Sequence, residues 1–81
     1  MNNETRETSK PSRLPPTQNP VLEWASLGHG DRVDVWSDNS FRYTAYVDDR
    51  ADDGRLLWLI ENGTGSRRLF VHDDNVLLYP V

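Results

Sequence analysis

Trp36 and Tyr43 carry the most readable chemistry in this 81-residue chain. They fall on either side of a polar turn, Ser37–Asn39, inside the stretch GDRVDVWSDNSFRYTAYVDD, residues 30–49. Two aromatic rings at one rim of a sheet, with Asp38 and Asn39 beside them, make a surface for binding another molecule. The pattern around them points to no catalytic group. Each of these residues also has a plainer role: Trp36 and Tyr43 as caps on an apolar core, Asp38 and Asn39 as ordinary turn formers.

No other constellation supplies the chemistry of an enzyme. The only histidines are His29, between two glycines, and His72, at the end of an apolar run, and there is no cysteine. No nucleophile stands beside a base, and no glycine-rich loop is built to cradle phosphate. The acids Asp48, Asp49, Asp52 and Asp53 crowd one loop, but DDRADDG lacks the Gly and Glu positions of an EF-hand. We therefore expect no catalytic residue, no metal and no cofactor, and a function other than catalysis. Without cysteine, neither a disulfide nor a thiolate metal site can reinforce the fold.

Charge narrows the partner. Residues 1–20 carry a net +1, whereas residues 21–81 set six arginines against eleven acids, a net of −5. An acidic domain repels phosphate and suits a basic protein or peptide. Arg42, Arg55, Arg67 and Arg68 form the only contact set for a nucleic acid, and the acids around them oppose direct binding; an acidic decoy for a nucleic-acid-binding protein is an alternative read from charge alone. No apolar run is long enough for a membrane span, and the polar N-terminus is unlike a signal peptide, so the expected location is cytoplasmic.

The elements that must position these residues are strands. Val33 and Val35 share one parity, as do Tyr43, Ala45 and Val47, and β-branched and aromatic runs recur between Ser, Asp, Asn and Gly clusters. We expect strands at about 31–36, 41–48, 55–61, 67–72 and 76–79, with a single 3₁₀ turn over 72–75. Residues 1–18, rich in proline and polar groups, read as a disordered tail with a local polyproline II bias but no PxxP spacing. Residues 19–29 read as a short helix opened by Asn19 and Pro20, or as an extended arm, leaving the barrel to 30–81. LLWLI, residues 56–60, is apolar on both parities and needs cover on both faces. We expect Trp24 and Leu27 to cover its outward face and keep the chain monomeric, with a homodimer as the alternative.

Five short strands, an acidic loop before the third and a tight turn before the fifth describe an all-β, five-stranded antiparallel SH3-like barrel. Within it, GDRVDVWSDNSFRYTAYV resembles the opening of a Tudor domain of the survival motor neuron type, where Gly-Asp precedes the first strand, Trp-Ser leads into an acidic turn, and an aromatic followed by X-Ala starts the next strand. GTGSRRLFVHDDNVLL is similar to the end of the same domain, so the likeness covers about residues 30–79. It implies a box of aromatic rings at one end of the barrel that holds a cation. The first two box positions fall on Trp36 and Tyr43. The next two fall on Glu61 and Thr64, and an orienting Asn falls on Ser66, so this chain departs from the pattern at three places. Glu61 offers a carboxylate for a guanidinium or ammonium instead, and Tyr46, Phe41 or Phe70 complete the box if the register differs. The resemblance implies a protein- or peptide-binding module whose site is Trp36, Tyr43, Asp38, Asn39 and Glu61. The alternatives are an assembly domain using the outer face of the third strand and a nucleic-acid-associated barrel.

Overall fold

The computed structural model describes residues 19–81; the tail expected over residues 1–18 lies outside them. Five antiparallel strands form one sheet: β1 (Arg32–Ser37), β2 (Ser40–Arg50), β3 (Leu56–Glu61), β4 (Arg67–Val71) and β5 (Leu77–Pro80). The spatial order is β4-β3-β2-β1-β5, a meander whose last strand returns to pair with the first. The expected five antiparallel strands are present, and among the described residues β4 and β5 do not pair, so they form an open sheet.

Local chemistry accounts for the bends. Asp38 and Asn39 both take positive φ, 52° and 62°, the signature of a two-residue type I′ turn, and their short polar side chains tolerate it. Bulges then interrupt β1–β2 between Val35 and Trp36 and β2–β3 between Val47 and Asp49, coiling the long β2 strand. The connection after β4 is a single turn closed by an i→i+3 backbone hydrogen bond, the bond of one 3₁₀ turn. There Asp74 N–H donates to the Val71 carbonyl at 2.8 Å, and Val71 N–H donates back to Asp74 Oδ2 at 2.8 Å.

Strand alternation turns Val33, Val35, Ala45, Val47, Leu57, Leu59 and Leu78 to the inner face, where all are buried. Over them lies an arm, residues 19–31, whose one regular element is the 3₁₀ turn Trp24–Ser26. Its Trp24 and Leu27 belong to the same buried cluster as Leu57 and Leu59. The expectation that they cover the outward parity of β3 is therefore corrected. The inner face carries the main buried apolar cluster, and an open sheet leaves such a face wet unless a tethered segment covers it.

Two contacts lock the arm. Arg50 Nε donates to the Leu27 carbonyl at 2.5 Å, and its Nη1 reaches the Ala51 and Asp52 carbonyls at 3.1 and 3.3 Å. At Gly54, with φ +75°, a Cβ would stand 2.5 Å from the Ala25 amide nitrogen, so the β2–β3 loop and the arm meet backbone to backbone. At its start the arm is stitched to β5, where Val21 N–H donates to the Leu78 carbonyl at 2.7 Å.

Candidate binding surface

Trp36 and Tyr43 lie on opposite faces of the sheet. Tyr43 pairs with the core residue Val35 and packs against the buried cluster. Trp36, the next residue after Val35, turns outward and meets Phe41 and Tyr79 edge to face, with centroids 6.2 and 5.9 Å away. It is 8% exposed, so this trio is a small second core on the outer side. The Trp36 indole Nε1 is buried without a hydrogen-bond partner.

The bulge causes the separation. Beyond the Ser37–Ser40 pair, which the turn fixes, Trp36 faces Phe41, but Val35 faces Tyr43 and skips Arg42. In a regular ladder Tyr43 would oppose Asp34 and share the face of Trp36. One inserted residue reverses that parity for the rest of β2, and so brings Tyr43, Ala45 and Val47 to the side of Val33 and Val35. The signal was present in the sequence: a two-residue turn at Asp38–Asn39 puts the apolar parities of the two strands one residue out of step.

Of the remaining expected site residues, Glu61 does approach Tyr43. Between them stands Arg68, its guanidinium 5.3 Å from the Tyr43 ring centroid and 2.9 Å from Glu61 Oε1. Burial raises the Tyr43 hydroxyl pKa above its ordinary value; Arg68 pulls it down and Glu61 pushes it up, both less strongly. Asp38 and Asn39 sit at the β1–β2 turn instead, where Asp38 accepts from Asn75 at 3.4 Å and lies 3.6 Å from the Arg42 guanidinium. The expected site residues therefore do not form one site, and a guanidinium of the chain's own stands at both acidic places, Arg68 at Glu61 and Arg42 at Asp38.

The outer face of β3 and β4 offers a different surface. Register puts Leu56 opposite Val71, Trp58 opposite Leu69 and Ile60 opposite Arg67, all on the outward parity. Leu56, Leu69 and Val71 are 41%, 45% and 40% exposed, which makes this corner a contiguous apolar strip of large side chains open to water. Its upper boundary is polar: Arg67 lies over the half-buried Trp58 ring at 3.9 Å and reaches across to Asp48 Oδ2 at 2.8 Å. LLWLI is apolar on both parities, but the arm covers its inner face only, and Leu69 and Val71 of RRLFV extend its outer face across the neighbouring strand.

The strip adjoins a sheet edge that resists strand addition. Arg67, Leu69 and Val71 direct their backbone groups away from β3, and both groups of Val71 are already taken by Asp74. Arg67 and Arg68 add charge to what remains. Open depressions lie elsewhere among the described residues, including one of about 300 Å³ beside Gly28, Asp48 and Arg50 and one of about 190 Å³ between Leu22, His72 and Leu77. Among the described residues no group of His, Cys, Asp and Glu side chains is placed to hold a metal ion, and no helix is long and apolar enough to cross a membrane.

Compared with known proteins, the chain matches no family model, no curated protein and no solved structure.

Proposed function

We propose that this chain is a non-enzymatic protein-binding module of SH3-like topology that docks another polypeptide on the outer face of β3 and β4. The SH3-like reading is supported by the meander order, the coiled β2 strand and the return of β5 to β1. One observation carries the docking surface: Leu56, Leu69 and Val71 form an exposed strip on adjacent strands. Contiguous apolar surface of this kind is costly in water and marks contact sites. The Tudor-type cage contributes little to this reading, because its two rings point away from each other. A basic segment at Tyr43 and Glu61 is a second reading, motivated by the guanidinium that Arg68 places there; an incoming arginine has to displace it.

Site-specific photo-crosslinking tests the proposal. A benzophenone side chain at position 69 is expected to form a covalent adduct with a polypeptide in native extract. The same group at Asp53, exposed in the β2–β3 loop, is expected to form none. Equal labelling from both positions, or no adduct from position 69, would count against the docking face.

A further inference from the structure

We infer that Asn62–Gly63, in the β3–β4 turn, is a site of covalent self-modification, where the chain closes a succinimide on itself and opens it to aspartate or isoaspartate. The inference goes beyond the docking surface and does not depend on it. In the closing step the Gly63 nitrogen gives its proton to water or hydroxide and bonds to the Asn62 Cγ, and the Cγ–Nδ2 bond breaks with release of ammonia. Water then opens the ring: at Cγ it leaves aspartate, at the main-chain carbonyl it leaves isoaspartate. Water is the only reagent consumed.

The turn leaves the reacting atoms open. Asn62 is the one asparagine of the chain followed by glycine; Asn39 precedes Ser40 and Asn75 precedes the β-branched Val76, whose Cβ atoms crowd the closing ring. Both Asn62 and Gly63 are exposed, and a Cβ at Gly63 would meet nothing within 4 Å, so the ring has room. The Gly63 N–H donates to no group among the described residues, because the turn is closed by Gly65 N–H on the Glu61 carbonyl at 2.9 Å. Asp53–Gly54 can form the same ring and is held shut. There Gly54 N–H donates to the Ala51 carbonyl at 2.9 Å, Arg55 N–H donates to Asp53 Oδ1 at 3.0 Å, and Gly54 is packed against Ala25.

A donor also stands where charge develops. The Tyr46 hydroxyl lies 3.4 Å from Asn62 Oδ1, and Arg32 Nη2 donates to the Tyr46 oxygen at 3.2 Å. Arginine only donates, so the phenolic proton is left to face Asn62. As the Gly63 nitrogen attacks, negative charge gathers on Oδ1, and a hydroxyl backed by a guanidinium stabilises it. A contact this long does not pin the amide in place.

Peptide mass mapping and an isoaspartate methyl-transfer assay, after incubation of the full chain at neutral pH, read this out. Acid is expected to accumulate at Asn62, with isoaspartate among the products, while Asn39 and Asn75 stay amides and Asp53 stays aspartate. With the chain unfolded in urea as reference, folding is expected to leave Asn62 at least as reactive and to slow Asp53 about tenfold or more, since its ring closes only after local opening. Tyr46→Phe, which keeps a ring under Arg32, is expected to slow Asn62 about threefold to tenfold, less than the roughly 10²–10³ lost with a short oxyanion donor. Arg32→Gln serves as the second variant if Tyr46→Phe loses its β-sheet circular dichroism. An Asn62 that converts in urea but not in the folded chain overturns the inference, as does an Asp53 that reacts as fast as Asn62 in the folded chain. A Tyr46→Phe chain that reacts as fast as the wild type, or faster, overturns the part assigned to the hydroxyl.

Discussion

Trp24 and Trp58 stand on opposite sides of β3 and meet different neighbours. Trp24 is 4% exposed, sealed among Leu57 and Leu59, with His72 edge-on to its ring at 5.0 Å. Trp58 is half-buried under the Arg67 guanidinium, which is held by Asp48. On the inner face, burial is completed by a tethered arm that excludes water. On the outer face, one ring is shielded by a charged side chain whose stem and planar head cover it while the charge stays hydrated. Arg32 over Tyr46, at 5.1 Å, repeats the arrangement. Among the described residues one covering segment serves two apolar faces, and arginine stacking gives partial cover where that segment does not reach.

The sharpest break of this comparison is a pair of truncations. Trp24→Ala is expected to destabilise the fold by about 3–5 kcal/mol, the range for a large buried aromatic. Trp58→Ala is expected to cost about 1 kcal/mol, since it removes a solvent-accessible ring and one exposed cation contact. Urea melts of the two variants check the contrast, and equal losses would erase the distinction between the faces.

Trp36 sharpens it further, because it belongs to the outer face and yet is buried. Trp36→Ala is expected to lose about 3 kcal/mol in the same melts. Trp36→Phe should lose much less, about 1 kcal/mol, because the phenyl ring keeps the contacts with Phe41 and Tyr79 and discards an indole N–H that is buried without a partner. An intact fold in Trp36→Ala would return Trp36 to the role of a binding residue.

The smallest effect concerns the rim of the inner face. The Tyr43 pKa is raised in the folded state, so the unfolded chain loses its phenolic proton first as pH rises. Stability from this group is therefore complete below about pH 10, the unfolded value, and is lost as pH climbs through the higher folded value. Tyr43→Phe is expected to flatten the alkaline limb of a stability–pH profile by a fraction of a kcal/mol. An unchanged limb would mean that the hydroxyl is as well solvated in the folded state as in the unfolded one.

Much of the strand pattern was legible in the residues themselves. Alternation in VDV and YTAYV, the αL-tolerant Asp38–Asn39 pair and the glycine turn at 62–65 place β1 to β4 within one or two residues of where they form. Alternation within one strand does not phase it against its neighbour; only the two-residue length of the Asp38–Asn39 turn, set against the shared odd parity of both apolar runs, demands the inserted residue, and the expected rim depended on that phase. Arg42, the inserted residue, is an ordinary polar side chain whose type does not announce a bulge. The position of the arm was hidden for a different reason. Trp24 and Leu27 are apolar enough to cover either side of β3, and what selects the inner side is the Arg50 clasp on the Leu27 carbonyl and the bare backbone of Gly54 against Ala25, both long-range contacts.

The stitch between Val21 and Leu78 has a consequence in time. Three hairpins join neighbours in sequence, but β5 pairs with β1 and the arm lies on both only after the two ends of the described chain have come together. Closing that long loop costs entropy before any contact repays it. The meander β1 to β4 is therefore expected to form the folding nucleus, with β5 and the arm zipping on afterwards. In stopped-flow measurements Leu78→Ala should then accelerate unfolding while hardly slowing refolding, the behaviour of a residue whose contacts form late. Refolding slowed in proportion to the lost stability would instead put this seam at the start of folding. On the expected route the seam is also the first part to open, so an early excursion from the native state peels off arm and last strand and wets the inner face while the four-stranded meander persists.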